Sequence, residues 1–187
     1  MQEDLNKKYG LNPAHSEVVA ACQTIQPCKV LETGCSNGRN ALYLAQLGFD
    51  VTAVDINAQA VATLEKIAQA EHLTNIRPRV YDLNEAQLPE AFDFIISTVT
   101  LMFLDPNKIQ AVISNMQQQT NQGGYHLIVC AMDTQATPSP VQFPFTFKEG
   151  ELKSLYKGWE LLKYNENMGT MHHGAQLQFA TLLAKKT

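Results

Sequence analysis

An open α/β fold, a mostly parallel sheet with helices on both faces, is what the 187-residue sequence predicts. Three observations predict it. Short β-rich apolar runs alternate with segments of helical period along the first 131 residues. A glycine-containing turn, Gly34 to Gly38, follows the first of those runs and leads straight into a helix. The last two β-rich runs have only a loop between them, which makes them an antiparallel pair after the parallel part.

Each element has its own signal. Asn12-Pro13 predicts a helix start, a capping side chain followed by proline at the first helical position, with His15, Val18, Val19 and Cys22 on one face. Lys29 to Glu32 is the first strand. The helix after the glycine turn puts Leu44 and Leu47 inward and stops at Gly48. Val51 to Val54 is the second strand, and Asn57 caps a helix with an apolar stripe of Val61, Leu64, Ile67 and Ala68. Arg79 to Tyr81 is the third strand and Phe92 to Val99 the fourth, a β-rich run with little charge. Asp105-Pro106 opens a helix bearing Ile109, Val112, Ile113 and Met116, and Gly123-Gly124 turns into a fifth strand, Tyr125 to Ala131. Then come a proline-containing loop, a short helix around Lys148 to Tyr156, and strands Trp159 to Tyr164 and Gln176 to Leu183. No repeat, low-complexity tract or linker interrupts the chain, so residues 1–187 are expected to form one domain, with 1–26 as a helical cap over the site.

Composition excludes several classes. The net charge of −4 gives no basic footprint for nucleic acid. No stretch approaches the roughly 18 uninterrupted apolar residues of a membrane span, and the polar start, Met1 to Lys8, lacks a signal-peptide apolar region. A cytoplasmic location is therefore expected. Cys22, Cys28, Cys35 and Cys130 form no Cys-x-x-Cys pair, which leaves reduced and mostly buried thiols.

The glycine turn carries the chemistry. Glycines let a ligand approach the main chain, and the helix start presents free N–H groups. Asp55, at the end of the second strand and 17 residues after Gly38, can accept hydrogen bonds from both ribose hydroxyls of an adenosine, or can cap a helix. NAD and S-adenosylmethionine both suit such a layout. A dinucleotide calls for Gly-x-Gly-x-x-Gly, whereas here Gly34 and Gly38 stand four apart with Ser36 between and no third glycine. Glu32 beside the ligand would repel a pyrophosphate but tolerates a sulfonium and an ammonium.

Glu32 to Gly38 resembles motif I of the class I S-adenosylmethionine-dependent methyltransferases, which have a Rossmann-like fold of seven strands ending in an antiparallel hairpin. Asp55 matches their ribose-binding acid, and Asp82-Leu83 their adenine-contacting pair. The sequence further resembles the tellurite-resistance methyltransferases (TehB) along nearly its whole length. The matching stretches are Lys8 to Leu11, His15 to Val18, Gly38 to Ala45, Ser97 to Leu104, Gly123 to Asp133, Phe143 to Leu152 and Gly158 to Glu160. The Phe143 to Leu152 stretch is the most specific, because no fold rule demands it. Two positions depart: Ser36 stands where motif I usually carries glycine, and His172-His173 where the family tends to show His-Arg.

The resemblance implies S-adenosyl-L-methionine as cofactor, S-adenosyl-L-homocysteine as product, and a small oxyanion, tellurite and with it selenite, as acceptor. It implies detoxification by methylation; a homodimer is left open. Cofactor contacts fall to Tyr9, Glu32, Gly34, Cys35, Gly38, Arg39, Asp55, Ile56, Asp82, Leu83 and Thr98. In such sheets ligands sit beyond the carboxyl ends of the parallel strands. If the sixth strand runs parallel, the loop after it lies there, so His172 and His173 can face Asp133 across one pocket. His172 is assigned to substrate binding with acid–base work, His173 to cationic anchoring when protonated, and Asp133 to orienting a histidine. His15 is either a packed histidine or a pocket residue under an N-terminal lid with Tyr9, and Phe143 and Phe145 either pack their loop down or exclude water as a lid. No structural metal is expected. The alternatives are a class I methyltransferase for a thiol, thiopurine or carboxylate, or a metal-binding sensor that joins two histidines to Asp133. Arsenite is disfavoured by the scattered cysteines, and amino groups of nucleobases by Ser97-Thr98-Val99-Thr100, which lacks the Asp/Asn-Pro-Pro-aromatic motif.

Overall fold

The computed structural model describes residues 4–170 and 174–187. Its strands are β1 (Lys29–Thr33), β2 (Asp50–Asp55), β3 (Ile76–Val80), β4 (Phe92–Thr98), β5 (Thr120–Ala131), β6 (Trp159–Thr170) and β7 (Gln176–Lys186). They form one sheet in the order β3-β2-β1-β4-β5-β7-β6. The first five are parallel, and β7 is antiparallel to both β5 and β6, so β6 runs in the direction of the first five.

The helices are α1 (Leu5–Lys8), α2 (Ser16–Ala21), α3 (Arg39–Gln46), α4 (Ala58–Ala70), α5 (Ile109–Gln118) and α6 (Glu151–Leu155). Strand alternation supplies a core on each face. Val30, Phe94 and Ile96 point to the side covered by α1 to α4, where they meet Val18, Leu42 and Leu64. Leu31 and Ile95 point to the side of α5 and α6, where they join Val112, Met116 and Leu152. Each such side chain stabilises the fold by about 1.5–3 kcal/mol when fully buried. Among the described residues no helix is long and apolar enough to cross a membrane.

Several expected boundaries move. Asn12-Pro13 does not open a helix: α2 begins at Ser16, and His15 is its N-cap, with Nδ1 accepting from Glu17 N at 3.2 Å. Asp105-Pro106 precedes α5 by a turn, because Asp105 Oδ1 accepts from Asn107 N at 2.9 Å and folds the chain there. Leu47 is not inward; it caps α3 and is half exposed. The third strand starts earlier than expected, at Ile76. It tolerates Pro78 because it is an edge strand, paired with β2 alone. Gly123-Gly124 lies inside β5 as a register irregularity opposite Phe92 and Phe94. The last two strands extend well past the expected ends, through a polar run on β6 that is half-buried or exposed.

Beyond β4 the backbone reverses abruptly. Val99 has φ 59, in the left-handed region that β-branched residues seldom occupy. The contacts on either side hold it there. Val99 N donates to Val129 O on β5 at 2.7 Å. The Thr100 hydroxyl lies 3.0 Å from Thr33 O and 3.2 Å from Thr98 O.

Candidate functional site

The carboxyl ends of β1, β2 and β4 surround two adjoining hollows, and a larger cleft opens beside them. The outer hollow, about 340 Å³, is lined by Gly34, Asp55, Ile56, Asp82, Leu83 and Phe103 among others. The inner hollow, about 330 Å³, is lined by Glu32, Gly34, Cys35, Arg39, Asn40, Thr98 and the N-terminal residues Leu11 and Asn12. The cleft, about 540 Å³, lies between the start of α2 and residues of β6 and β7, with His15, Arg39, Lys163, Asn165, Thr170 and Phe179 on its walls.

The turn after β1 is shaped by its glycines. Gly34 has φ 66, and a Cβ there would run into the Thr100 side chain. Gly38 has φ 90 and N-caps α3, where a Cβ would strike Leu64 on α4. Its role is therefore close packing of two helices, and it lines neither hollow. Ser36 holds φ 48 without being glycine. Its N–H donates to Asp55 Oδ2 at 2.7 Å, while Asn57 N donates to Asp55 Oδ1 at 2.8 Å. Asp55 does not cap α4; Asn57 does, through Gln59 N and Ala60 N. A carboxylate oxygen has two acceptor sites, so both oxygens of Asp55 keep capacity toward the outer hollow.

Glu32 is fully buried at the floor of the inner hollow. Its Oε1 accepts from Asn40 Nδ2 at 2.9 Å, but Oε2 has no hydrogen-bond partner among the described residues. Burial pushes its carboxyl up to about 8, against the lowering pull of the Asn40 hydrogen bond and the Arg39 guanidinium. A buried polar atom left alone is costly, which marks the hollow as a place where a polar partner belongs. The same Asn40 amide lies 3.2 Å from Thr98 Oγ1. Burial also raises the Cys35 thiol far above its ordinary range, so it is an inert apolar wall and not a nucleophile.

The N-terminal segment is tied over this region. His15 N donates to Asn40 Oδ1 at 2.8 Å, Asn6 Nδ2 donates to Arg39 O at 2.8 Å, and Lys163 on β6 bridges both Glu17 oxygens at 2.6 and 2.8 Å. Burial, then Arg39, holds the His15 imidazole below its ordinary value despite Glu17. That agrees with Nδ1 acting as an acceptor. His15 thus lines the cleft from a cap position, not from an apolar helix face.

Other expected site residues fall elsewhere. Tyr9 is away from both hollows: its hydroxyl donates to Glu71 at the far end of α4, and its ring packs in the α1–α4 core. Asp133 does not line the cleft. Its carboxylate accepts from Ser139 N at 2.9 Å and lies 3.6 Å from Lys148 Nζ, which folds the loop after β5 back on itself. Phe143 and Phe145 do not line the cleft either, because Phe145 N bonds to Met102 O and draws their loop toward the outer hollow. There Phe143 meets the edge of Phe103, 5.5 Å between centroids, while Phe145 packs on Phe147. His172 and His173 lie outside the described residues.

Sequence reasoning missed Asn40, Lys163 and Val99. A polar side chain at the second position of an otherwise apolar helix face was a legible sign for Asn40. Lys163 had no signal, because its partner Glu17 lies 146 residues away.

The profile of the tellurite resistance protein TehB family matches residues 1–183. The "Probable S-adenosyl-L-methionine-dependent methyltransferase TehB" of Haemophilus influenzae (strain 10810) is 48% identical over 191 residues, covering 99% of this chain and 66% of that protein. A protein of Eikenella corrodens named "Hemagglutinin 1" is 46% identical over 187 residues, covering 97% of this chain and 62% of its own length. The crystal structure of TehB from Haemophilus influenzae superposes with a TM-score of 0.95 at 48% identity, over 98% of this chain and 66% of that one. The chain therefore spans about two thirds or less of the length of these relatives.

Proposed function

The chain belongs to the tellurite resistance protein TehB family, and from that premise we propose that it is an S-adenosyl-L-methionine-dependent methyltransferase. Its acceptor is a small oxyanion, tellurite and with it selenite, and its role is tellurite resistance by methylation. The observation that carries the cofactor assignment is the unpartnered Oε2 of buried Glu32, one hollow away from Asp55.

The residues present fit this cofactor. Asp55 accepts from the two ribose hydroxyls, and Ile56, Asp82 and Leu83 enclose the adenine. Glu32 Oε2 accepts from the amino acid's ammonium, and Arg39, which lines both the inner hollow and the cleft, faces its carboxylate. Gly34, Cys35 and Thr98 form the walls between. A pyrophosphate in the inner hollow would instead oppose the ionisation of Glu32 that an ammonium favours. When bound, S-adenosylmethionine supplies a methyl on a positively charged sulfur, which keeps the electron pair of the breaking C–S bond as the acceptor's lone pair forms the new one.

The chain's own work is positioning, which can supply about 7–11 kcal/mol of rate. The N-terminal segment serves as the cap of a single domain: Leu11 and Asn12 border the inner hollow and His15 borders the cleft. Among the described residues, Arg39 is the cation that the cleft offers to an oxyanion, because Lys163 on the same wall is paired with Glu17, which also lines the cleft. Thr170, the last residue of β6, also lines the cleft, and His172 and His173 come next but one in the chain. We assign them to anchoring the oxyanion and to proton transfer.

The test measures S-adenosylhomocysteine formed with tellurite, selenite, a thiol, a thiopurine or a carboxylate as acceptor. Formation that depends on tellurite or selenite is expected. Formation only with one of the organic acceptors would overturn the oxyanion assignment and keep the methyltransferase. No formation, together with no binding of S-adenosylhomocysteine by calorimetry, would overturn both.

A further inference from the structure

Val99 is the one described residue that lines the outer hollow, the inner hollow and the cleft together. If the two hollows hold the two halves of the donor, as proposed above, the reacting methyl must lie where both meet the cleft, and Val99 is the wall at that point. The inference rests on that reading.

The backbone at Val99 adds a second, independent observation. A residue at φ 59 in this turn is best made of glycine, and a branched side chain there is strained. The isopropyl group packs at the edge of the core on the α5–α6 side, but the turn itself does not depend on it. The chain reversal is fixed by Val99 N on Val129 O and by Thr100 beneath Gly34, and both contacts would persist with glycine at 99. The strain is retained at the junction of three cavities, and strain of this kind persists where surroundings over-determine it and gathers at functional sites.

We infer that Val99 is a positioning residue for methyl transfer, whose isopropyl group closes the junction to water and leaves the line between donor and acceptor as the open direction. Its side chain has no polar atom, so it offers the cofactor apolar contact alone, and the polar grip falls to Glu32, Arg39 and Asp55. A misplacement of reactants by an ångström can slow a reaction by about a hundredfold.

The test compares Val99→Gly and Val99→Thr with the wild type in three measurements: the melting temperature of the ligand-free protein, the affinity for S-adenosylhomocysteine by calorimetry, and turnover with the most active acceptor of the panel above. Val99→Gly relieves the strained backbone but loses the packing of the isopropyl group, so it is expected to melt close to the wild-type temperature, to bind S-adenosylhomocysteine within about threefold of wild type, and to turn over about ten- to a hundredfold more slowly. Val99→Thr keeps the branched shape, and is expected to recover most of that turnover. Unchanged turnover in Val99→Gly would overturn the inference. So would a loss of affinity that matches the loss of turnover, or a Val99→Thr protein as slow as Val99→Gly. If the wild type binds no S-adenosylhomocysteine, the reading of the hollows fails, and that outcome is separate from the other three.

Discussion

The Ser36 amide lies 2.7 Å from Asp55 Oδ2, so the turn after β1 is fastened to the acid that ends β2. One carboxylate thereby shapes the loop and presents acceptors to the outer hollow. Asp55→Ala removes both functions. Hydrogen bonds to a charged group are worth about 1.5–3 kcal/mol each, so affinity for S-adenosylhomocysteine is expected to fall by at least about tenfold. Asp55→Asn retains one acceptor and should lose less. Calorimetry on both variants checks this, and unchanged affinity in Asp55→Ala would remove the ribose assignment.

Ser36 contributes to that fastening through its main chain alone, since its side chain is exposed and its φ is 48. Ser36→Gly should therefore relieve a left-handed conformation that costs a residue with a Cβ about 1–2 kcal/mol. For a protein of this size the melting temperature should rise by about 2–4 °C per kcal/mol. Binding of S-adenosylhomocysteine should hold. Differential scanning calorimetry with and without the ligand separates the two effects.

Glu32 predicts a proton linkage. With burial raising its carboxyl to about 8, the ligand-free protein carries a proton there at pH 7. An ammonium placed on Oε2 favours the ionised form and drives that proton off. Binding of S-adenosylhomocysteine at pH 7 should therefore release most of one proton. Binding should also tighten as pH rises toward 8 and then level. Calorimetry in buffers of different ionisation enthalpy counts the proton, and Glu32→Gln should release none.

Local rules carried the fold's order and the grouping of Gly34, Asp55, Asp82 and Leu83 around the outer hollow. Glycines at 34 and 38, Asp55 after a strand and Asn57 before a helix each act through neighbours in the chain, so their signal survives in the sequence. The cleft did not survive in the same way. The cleft is assembled from residues far apart in sequence, as the Glu17–Lys163 pair shows. Asp133 and Tyr9 have the right residue types near the right strand and helix, but their hydrogen bonds to Ser139 and Glu71 direct them elsewhere. Those choices depend on packing. Val99 is the extreme case: a valine at the end of a β-rich run looks like one more strand residue, and only the backbone angle shows otherwise.

His126 gives a prediction remote from the site. It is completely buried on β5, with Nε2 2.6 Å from Thr120 Oγ1 and Nδ1 2.6 Å from Tyr156 Oη. Burial, with a smaller push from Lys186, lowers its value to about 3, so it stays neutral in the folded protein at any ordinary pH. The unfolded chain takes up a proton there near pH 6.5. A lowered folded value means that the contribution is fully present above about pH 6.5 and is lost as pH falls from there toward 3, at up to about 1.4 kcal/mol per pH unit. Denaturant unfolding between pH 7 and 4.5 should show that slope in the wild type. His126→Asn should be less stable at pH 7, because it leaves the Thr120 and Tyr156 hydroxyls without their ring partner, yet its stability should fall less steeply with acid. A variant with the wild-type slope would mean that other groups carry the acid sensitivity.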